Sequence, residues 1–314
     1  MTPKVSSALA WAAAAALSVL CFAFQNRTGP TYPLEGRVDT ARGPVAFKLL
    51  RSEEIGNDLA LVLPGPVPDG LAAQVRYRRY RSHDAWSTRA FAPGTFRLSR
   101  RGVTEEVQGL GATLPSLTER AGKYEFLVDL EDGTGWRSIT GDQPVYARYK
   151  APVPRLLVLV HVLVIFLSLT FGLRTAIEAL RGGPVTGLLR ATIASFFLGA
   201  FVLGPAMQEF AFGVLWSGWP FGHDWTDNKV VVELLAWVVA AVVAARYPAR
   251  ARTAVLTAAA VMLLVYFIPH SIFDTMLAAR LLGQLQFGLG ALVEHYLGVT
   301  LEKGAQKANW ARRP

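Results

Sequence analysis

Residues 145–173 read VYARYKAPVPRLLVLVHVLVIFLSLTFGL, and the change of character inside this stretch decides the fold. Val145–Tyr149 alternates apolar and polar residues, as a half-buried strand does. Pro152 and Pro154 then stop any strand pairing, because proline offers no backbone N–H and fixes its own φ. Leu156–Leu173 follows as an apolar run close to the ~20 residues that cross ~30 Å of hydrocarbon. A strand-rich domain is therefore handed to a membrane-length helix through a very short linker.

Working outward, the C-terminal half carries further apolar runs at Ala191–Phe212, Val230–Ala245 and Ala254–Ile268, and the N-terminus carries one at Val5–Phe24. A sixth, weaker candidate at residues 272–299 is interrupted by Arg280, Gln284, Gln286, Glu294 and His295. The first run has only Lys4 before it and no small-x-small cleavage pattern before Gln25, so it reads as an uncleaved anchor rather than a signal peptide. Cys21, the single cysteine, lies within that run, so no disulfide framework exists within the chain.

The net charge is +9. In a soluble protein this would raise nucleic acid as a partner. Here the cations flank apolar runs: Arg174, Arg181 and Arg190 between the second and third, Arg246, Arg250 and Arg252 between the fourth and fifth, and Lys303, Lys307, Arg312 and Arg313 near the end. The positive-inside rule then puts these segments and the N-terminus in the cytoplasm, with residues 25–153 and 214–229 outside. On this reading the bilayer and membrane-protein subunits are the partners, nucleic acid is excluded, and the compartment is a bacterial inner membrane.

Between Pro33 and Tyr149, short alternating runs are separated by turn chemistry such as Pro64-Gly65-Pro66, Pro68-Asp69-Gly70 and Asp132-Gly133. Strands are expected at Val45–Leu50, Leu59–Leu63, Ala73–Tyr80, Trp86–Phe91, Thr95–Ser99, Lys123–Leu130 and Val145–Tyr149. About seven strands in roughly a hundred residues suggest an immunoglobulin-like or fibronectin III-like sandwich. The expected fold is thus a membrane α-helical bundle of five or six helices plus an extracytoplasmic all-β sandwich. Its parts are an anchor at 1–26, the sandwich at 27–153, a four-helix bundle at 154–271, and a last helix with a basic tail at 272–314. The basic run Arg76, Arg78, Arg79 and Arg81, interleaved with Tyr77 and Tyr80, reads first as a solvated strand face.

The densest chemistry lies in the outward loop at 214–229, within which residues 216–229 read WSGWPFGHDWTDNK. Trp216, Trp219 and Trp225 are candidate interface residues, together with Lys229, since indole rings favour the water–lipid boundary. His161, His223, Asp224, Asp227, Glu233 and His270 fall toward the same outer face. Histidine with carboxylates is a sufficient ligand set for a divalent metal, and His161 with His270 for haem iron. No HExxH, CxxC or HxxxH spacing supports such a centre. Local pairing is the other reading: Lys229 with Glu233 at i, i+4, and Asp227 or Thr226 as a helix cap. There is no phosphate loop, nucleophile elbow or dinucleotide fingerprint, so an enzyme is not the favoured reading. An accessory or assembly subunit engaging a partner through sandwich and loop leads. A metal- or haem-binding protein linked to electron transfer is the alternative.

The same loop, with Val75–Tyr80 (VRYRRY), Ala121–Tyr124 (AGKY), Tyr149–Pro154 (YKAPVP) and Ile268–Ser271 (IPHS), resembles uncharacterised bacterial multi-pass inner-membrane proteins in which an extracytoplasmic sandwich precedes a small helix bundle. The resemblance covers roughly residues 70–271 and implies a fold and a compartment. It assigns no activity, and it does not reach the segment after Phe273.

Overall fold

The computed structural model describes residues 3–267 apart from 30, 81, 101, 102 and 223. Helix α1 (Pro3–Thr28) opens the chain. Eleven strands among the described residues follow: β1 (Leu34–Thr40), β2 (Gly43–Leu49), β3 (Ser52–Glu54), β4 (Leu59–Pro64), β5 (Ala72–Arg79), β6 (Ser87–Ala90), β7 (Ala92–Arg100), β8 (Val103–Leu114), β9 (Lys123–Glu131), β10 (Trp136–Ser138) and β11 (Val145–Lys150). Helices α2 (Arg155–Leu180), α3 (Thr186–Phe197), α4 (Gly204–Phe212), α5 (Trp225–Arg246) and α6 (Ala251–Phe267) complete the described chain.

The strands form two sheets, ordered β1-β2-β4-β8-β7 and β3-β11-β9-β5-β6, with β10 pairing β9. They share one apolar core. Leu59, Leu61 and Leu63 of β4 and Leu114 of β8 face Val75 of β5, Phe126, Val128 and Leu130 of β9, and Tyr149 of β11. Every residue of Leu59–Leu63 is buried, so β4 reads as a continuous apolar run rather than an alternating one. The Tyr149 hydroxyl donates to the Leu114 carbonyl at 3.0 Å and accepts from the Leu59 N–H at 3.2 Å. That one side chain ties β11 to both central strands of the other sheet.

The expectation of a membrane helix bundle joined to an all-β immunoglobulin- or fibronectin-like sandwich is corrected here. The architecture is mixed: a helix, two sheets, then helices. The second sheet is itself mixed, because β3 pairs parallel with β11 through Arg148↔Ser52 to Lys150↔Glu54. Seven expected strands became eleven because β1, β3 and β10 are short or polar, and because glycines interrupt the pattern of β8. Gly109 and Gly111 lie where a Cβ would come within 2.2 Å of the Leu63 carbonyl and 2.8 Å of the Leu61 carbonyl. The sequence loses side chains there because a neighbouring backbone occupies their place.

Arg76, Arg78 and Arg79 of the basic run are paired rather than free, and Arg81 lies outside the described residues. Arg76 bridges to Asp129 at 2.7 Å and Arg78 to Glu125 at 2.5 Å across β5 and β9, and Arg79 to Asp84 at 2.6 Å. Arg78 also lies over the Trp86 ring.

Five helical stretches, Ser6–Thr28, Arg155–Leu180, Thr186–Phe212, Asp227–Arg246 and Pro248–Phe267, are long and apolar enough to cross a membrane. The third is one continuous rod whose centre, Leu198–Leu203, is π-helical. Pro205, just beyond it, supplies no N–H to the preceding turn, which accounts for the widening. Within the helices Trp237 is fully buried against Gly172 and Met262; a Cβ on Gly172 would sit 3.2 Å from the Trp237 ring and 2.5 Å from the Met262 sulfur. Arg174, counted from sequence among the flanking cations, lies inside α2, buried and paired with Glu178 one turn on.

Candidate functional site

The loop between α4 and α5 is built around Asp227. Its carboxylate accepts from the Ser217 N–H at 2.7 Å, the Ser217 hydroxyl at 3.0 Å and the Gln208 side-chain amide at 2.6 Å. Beside it the Asn228 side-chain oxygen accepts from the Trp219 N–H at 2.7 Å. Asp227 lies in the first turn of α5, where a carboxylate is also favoured by the helix dipole. Within the loop, Trp216 donates its indole N–H to the Trp219 carbonyl at 3.1 Å, and the Asp224 N–H donates to Ser217 at 3.0 Å. Gly218 is required by close approach: a Cβ there would fall 2.6 Å from Asp227 Cβ and 2.8 Å from the Asn228 oxygen.

An aromatic column carries this loop down onto α3. Phe197 stacks on Phe201 at 5.6 Å and Phe201 on Trp216 at 5.8 Å. The end of α4 meets the chain just after β11, where the Ala151 N–H donates to the Ala211 carbonyl at 3.0 Å. Arg148 lies over the Phe212 ring and within electrostatic reach of Asp224, and its burial pulls the guanidinium below the ordinary arginine range.

The residues singled out from sequence divide into separate groups. Asp227 binds Ser217 and Gln208, so it acts as structural glue. The backbone carbonyl of Asp224 accepts from the Asn228 N–H. Glu233 is 6% exposed on α5, with Lys229 one turn earlier as its electrostatic partner. His161 hydrogen-bonds the backbone of Gly199 in the π-helical turn, and its Nδ1 is buried without a partner among the described residues. His223, His270, and the side chain of Trp225 lie outside what the structure describes. Among the described residues no group of three or more His, Cys, Asp or Glu could hold a metal ion. Sequence reading missed Gln208 and Ser217 as partners of Asp227. Their only signal was that Gln208 is a polar residue within the apolar run Ala191–Phe212 and Ser217 one shortly after it.

Comparison with known proteins points to a different part of the chain. Residues 260–314 match the 3'-5' exonuclease family profile. A ribonuclease D from Sphingobium indicum is 55% identical over 47 residues, which make up 15% of this chain and 12% of that relative. The chain therefore spans about an eighth of the length of the curated relative it matches. No solved structure matches.

These matches correct three expectations. The exclusion of nucleic acid as a partner is overturned, because the matched stretch resembles nucleic-acid-processing proteins. The reading as an accessory or assembly subunit falls with it, and so does the metal- or haem-binding alternative. The physical reason is local. Lys303, Lys307, Arg312 and Arg313 were read as topology signals, and the polar interruptions from Arg280 to His295 as defects in a sixth span; all of them belong to the matched stretch.

Proposed function

We propose that the chain is a composite whose C-terminal stretch, after Phe267, is directed at nucleic acid. The observation that supports this is the 3'-5' exonuclease match at residues 260–314. Metal-assisted phosphodiester cleavage uses several carboxylates around ions ~3.5–4 Å apart. The stretch contains three carboxylate side chains, Asp274, Glu294 and Glu302, against five cations, Arg280, Lys303, Lys307, Arg312 and Arg313. We therefore assign it substrate contact: cations for phosphate, and Trp310 for stacking on a base.

The same proposal sets the preceding helices in a bacterial inner membrane, with the sheets on the outer side and the N-terminus in the cytoplasm. The five membrane-length helices support this, as do Arg181, Arg190, Arg246, Arg250 and Arg252 at or near the ends of successive helices.

The test is binding of a fluorescent single-stranded RNA or DNA by the whole chain in mild detergent, at two salt concentrations. Binding should weaken steeply with salt, and replacing Lys303, Lys307, Arg312 and Arg313 by Gln should flatten a slope of roughly −0.7 per phosphate contact. No binding at low salt, or binding indifferent to the four substitutions, would overturn the reading.

A further inference from the structure

We propose that Trp219 and Phe221 form a fixed anchor that enters the lipid interface beside α4 and α5, a proposal that rests on the membrane location above. Trp219 is 74% exposed and Phe221 84%, with Leu215 at 58% in the same loop. A free loop of this composition would fold its rings inward. This one is held open: Asp227 clamps Ser217, Asn228 clamps the Trp219 backbone, and Trp216 is locked into the aromatic column under it. The Phe221 and Gly222 N–H groups both donate to Gly218, closing a tight turn that leaves the two side chains outside. A Cβ on Gly222 would fall 2.3 Å from the Ser217 carbonyl, so this turn depends on glycine.

The occupant is read from the surroundings. From Phe210 to Gly222 the chain carries no charged residue, which suits hydrocarbon and headgroup-level packing rather than a polyanion. Exposed apolar side chains also flank the loop in sequence, Phe210 on α4 and Val232 and Leu235 on α5, and the stretches Thr186–Phe212 and Asp227–Arg246 that carry them are long and apolar enough to cross a bilayer. Trp219 adds an indole, the ring most at home where water meets lipid.

The experiment uses the whole chain with Cys21→Ser, so that a single new cysteine carries a bimane probe at Trp219→Cys, Phe221→Cys or, as a control, Asp224→Cys. Each is reconstituted in phosphatidylcholine vesicles containing spin-labelled lipid. Probes at 219 and 221 should shift to the blue and be quenched more by a label near the headgroup than by one near the chain end. The probe at 224 should keep its aqueous emission. If the chain floats with the vesicles yet all three probes look alike and unquenched, the anchor is overturned and the membrane location stands. If the chain does not float with the vesicles, the membrane location fails and the anchor with it.

Discussion

Asp227 and Ser217, ten residues apart, are joined twice: one carboxylate oxygen accepts both the backbone N–H and the hydroxyl of the serine, at 2.7 and 3.0 Å. The other oxygen accepts from Gln208 at 2.6 Å, so one side chain fastens α4, the loop and α5 together. Asp227→Ala would leave these donors without their acceptor. The expected loss is about 1.5–3 kcal/mol, the range for hydrogen bonds to a charged group, read as a lower midpoint of thermal unfolding in detergent. Proteases should then cut between residues 213 and 224, where they leave the parent chain intact. Unchanged melting and unchanged cleavage would mean the clamp contributes nothing. Asp227→Asn should fall between, since one of its atoms becomes a donor facing donors.

Tyr149 offers a second test, in the sheets. Tyr149→Phe removes the hydroxyl that bonds both Leu59 and Leu114 and leaves a buried N–H and a buried carbonyl unmatched. The expected cost is about 1–3 kcal/mol. Burial also raises the pKa of this hydroxyl above the ordinary tyrosine value. The unfolded chain releases the proton near pH ~10 while the folded chain keeps it, so folding weakens as pH rises past ~10. The Phe variant lacks that dependence. Parallel alkaline melting curves for the two proteins would refute the assignment.

Much of this was legible in the sequence, and the failures are as local as the successes. The apolar runs were found because length and composition alone define a membrane-length helix. Lys123–Leu130 was found because Tyr124, Phe126, Val128 and Leu130 fall on one face with Glu125 and Asp129 on the other, and the structure buries all four. β8 was missed because Gly109 and Gly111 stand where the backbone of β4 leaves no room for a side chain, and a pattern of missing side chains reads as a turn. In the loop, Asp227 or Thr226 was expected to cap α5; Asp227 instead accepts from Ser217 and Gln208, partners that the sequence did not offer. Hydrogen-bond partners across a loop follow no sequence period. The nucleic-acid signal was hidden for another reason: cations after an apolar run look the same whether they face a phosphate headgroup or a phosphate backbone.

Asp132 gives a prediction at the acid end. Its carboxylate accepts from the Thr134 hydroxyl at 2.6 Å and the Ala41 N–H at 2.8 Å. These bonds, the Thr134 hydroxyl first, lower its pKa to about 2. A depressed carboxylate stabilises the fold above the unfolded value of ~3.9, and the contribution disappears as pH falls from there toward ~2. Asp132→Asn should therefore melt below the parent at pH 5 and converge with it near pH 2. A gap that stays constant over that range would show that the bonds do not depend on ionisation.

The order of the helices makes the last prediction one of parity. If all five membrane-length stretches cross, α1 leads out to the sheets, α2 returns, the α3–α4 rod leads out again to the Asp227 loop, α5 returns, and α6 leads out once more. The sheets, the loop and the chain leaving Phe267 then share one side. Arg181, Arg190, Arg246, Arg250 and Arg252 occupy the other, which the positive-inside rule makes the cytoplasm. Alkaline phosphatase fused after residue 151 or 267 should be active, and a fluorescent protein fused after residue 182 should fluoresce. An inactive phosphatase at 151 would reverse the orientation; activity at 151 without activity at 267 would remove one crossing. A fusion after residue 314 then constrains the nucleic-acid reading. If it reports the outer side, the cations from Lys303 to Arg313 can meet nucleic acid only outside the cytoplasm. If it reports the cytoplasm, the chain after Phe267 returns through the bilayer, and its tail lies where RNA is abundant.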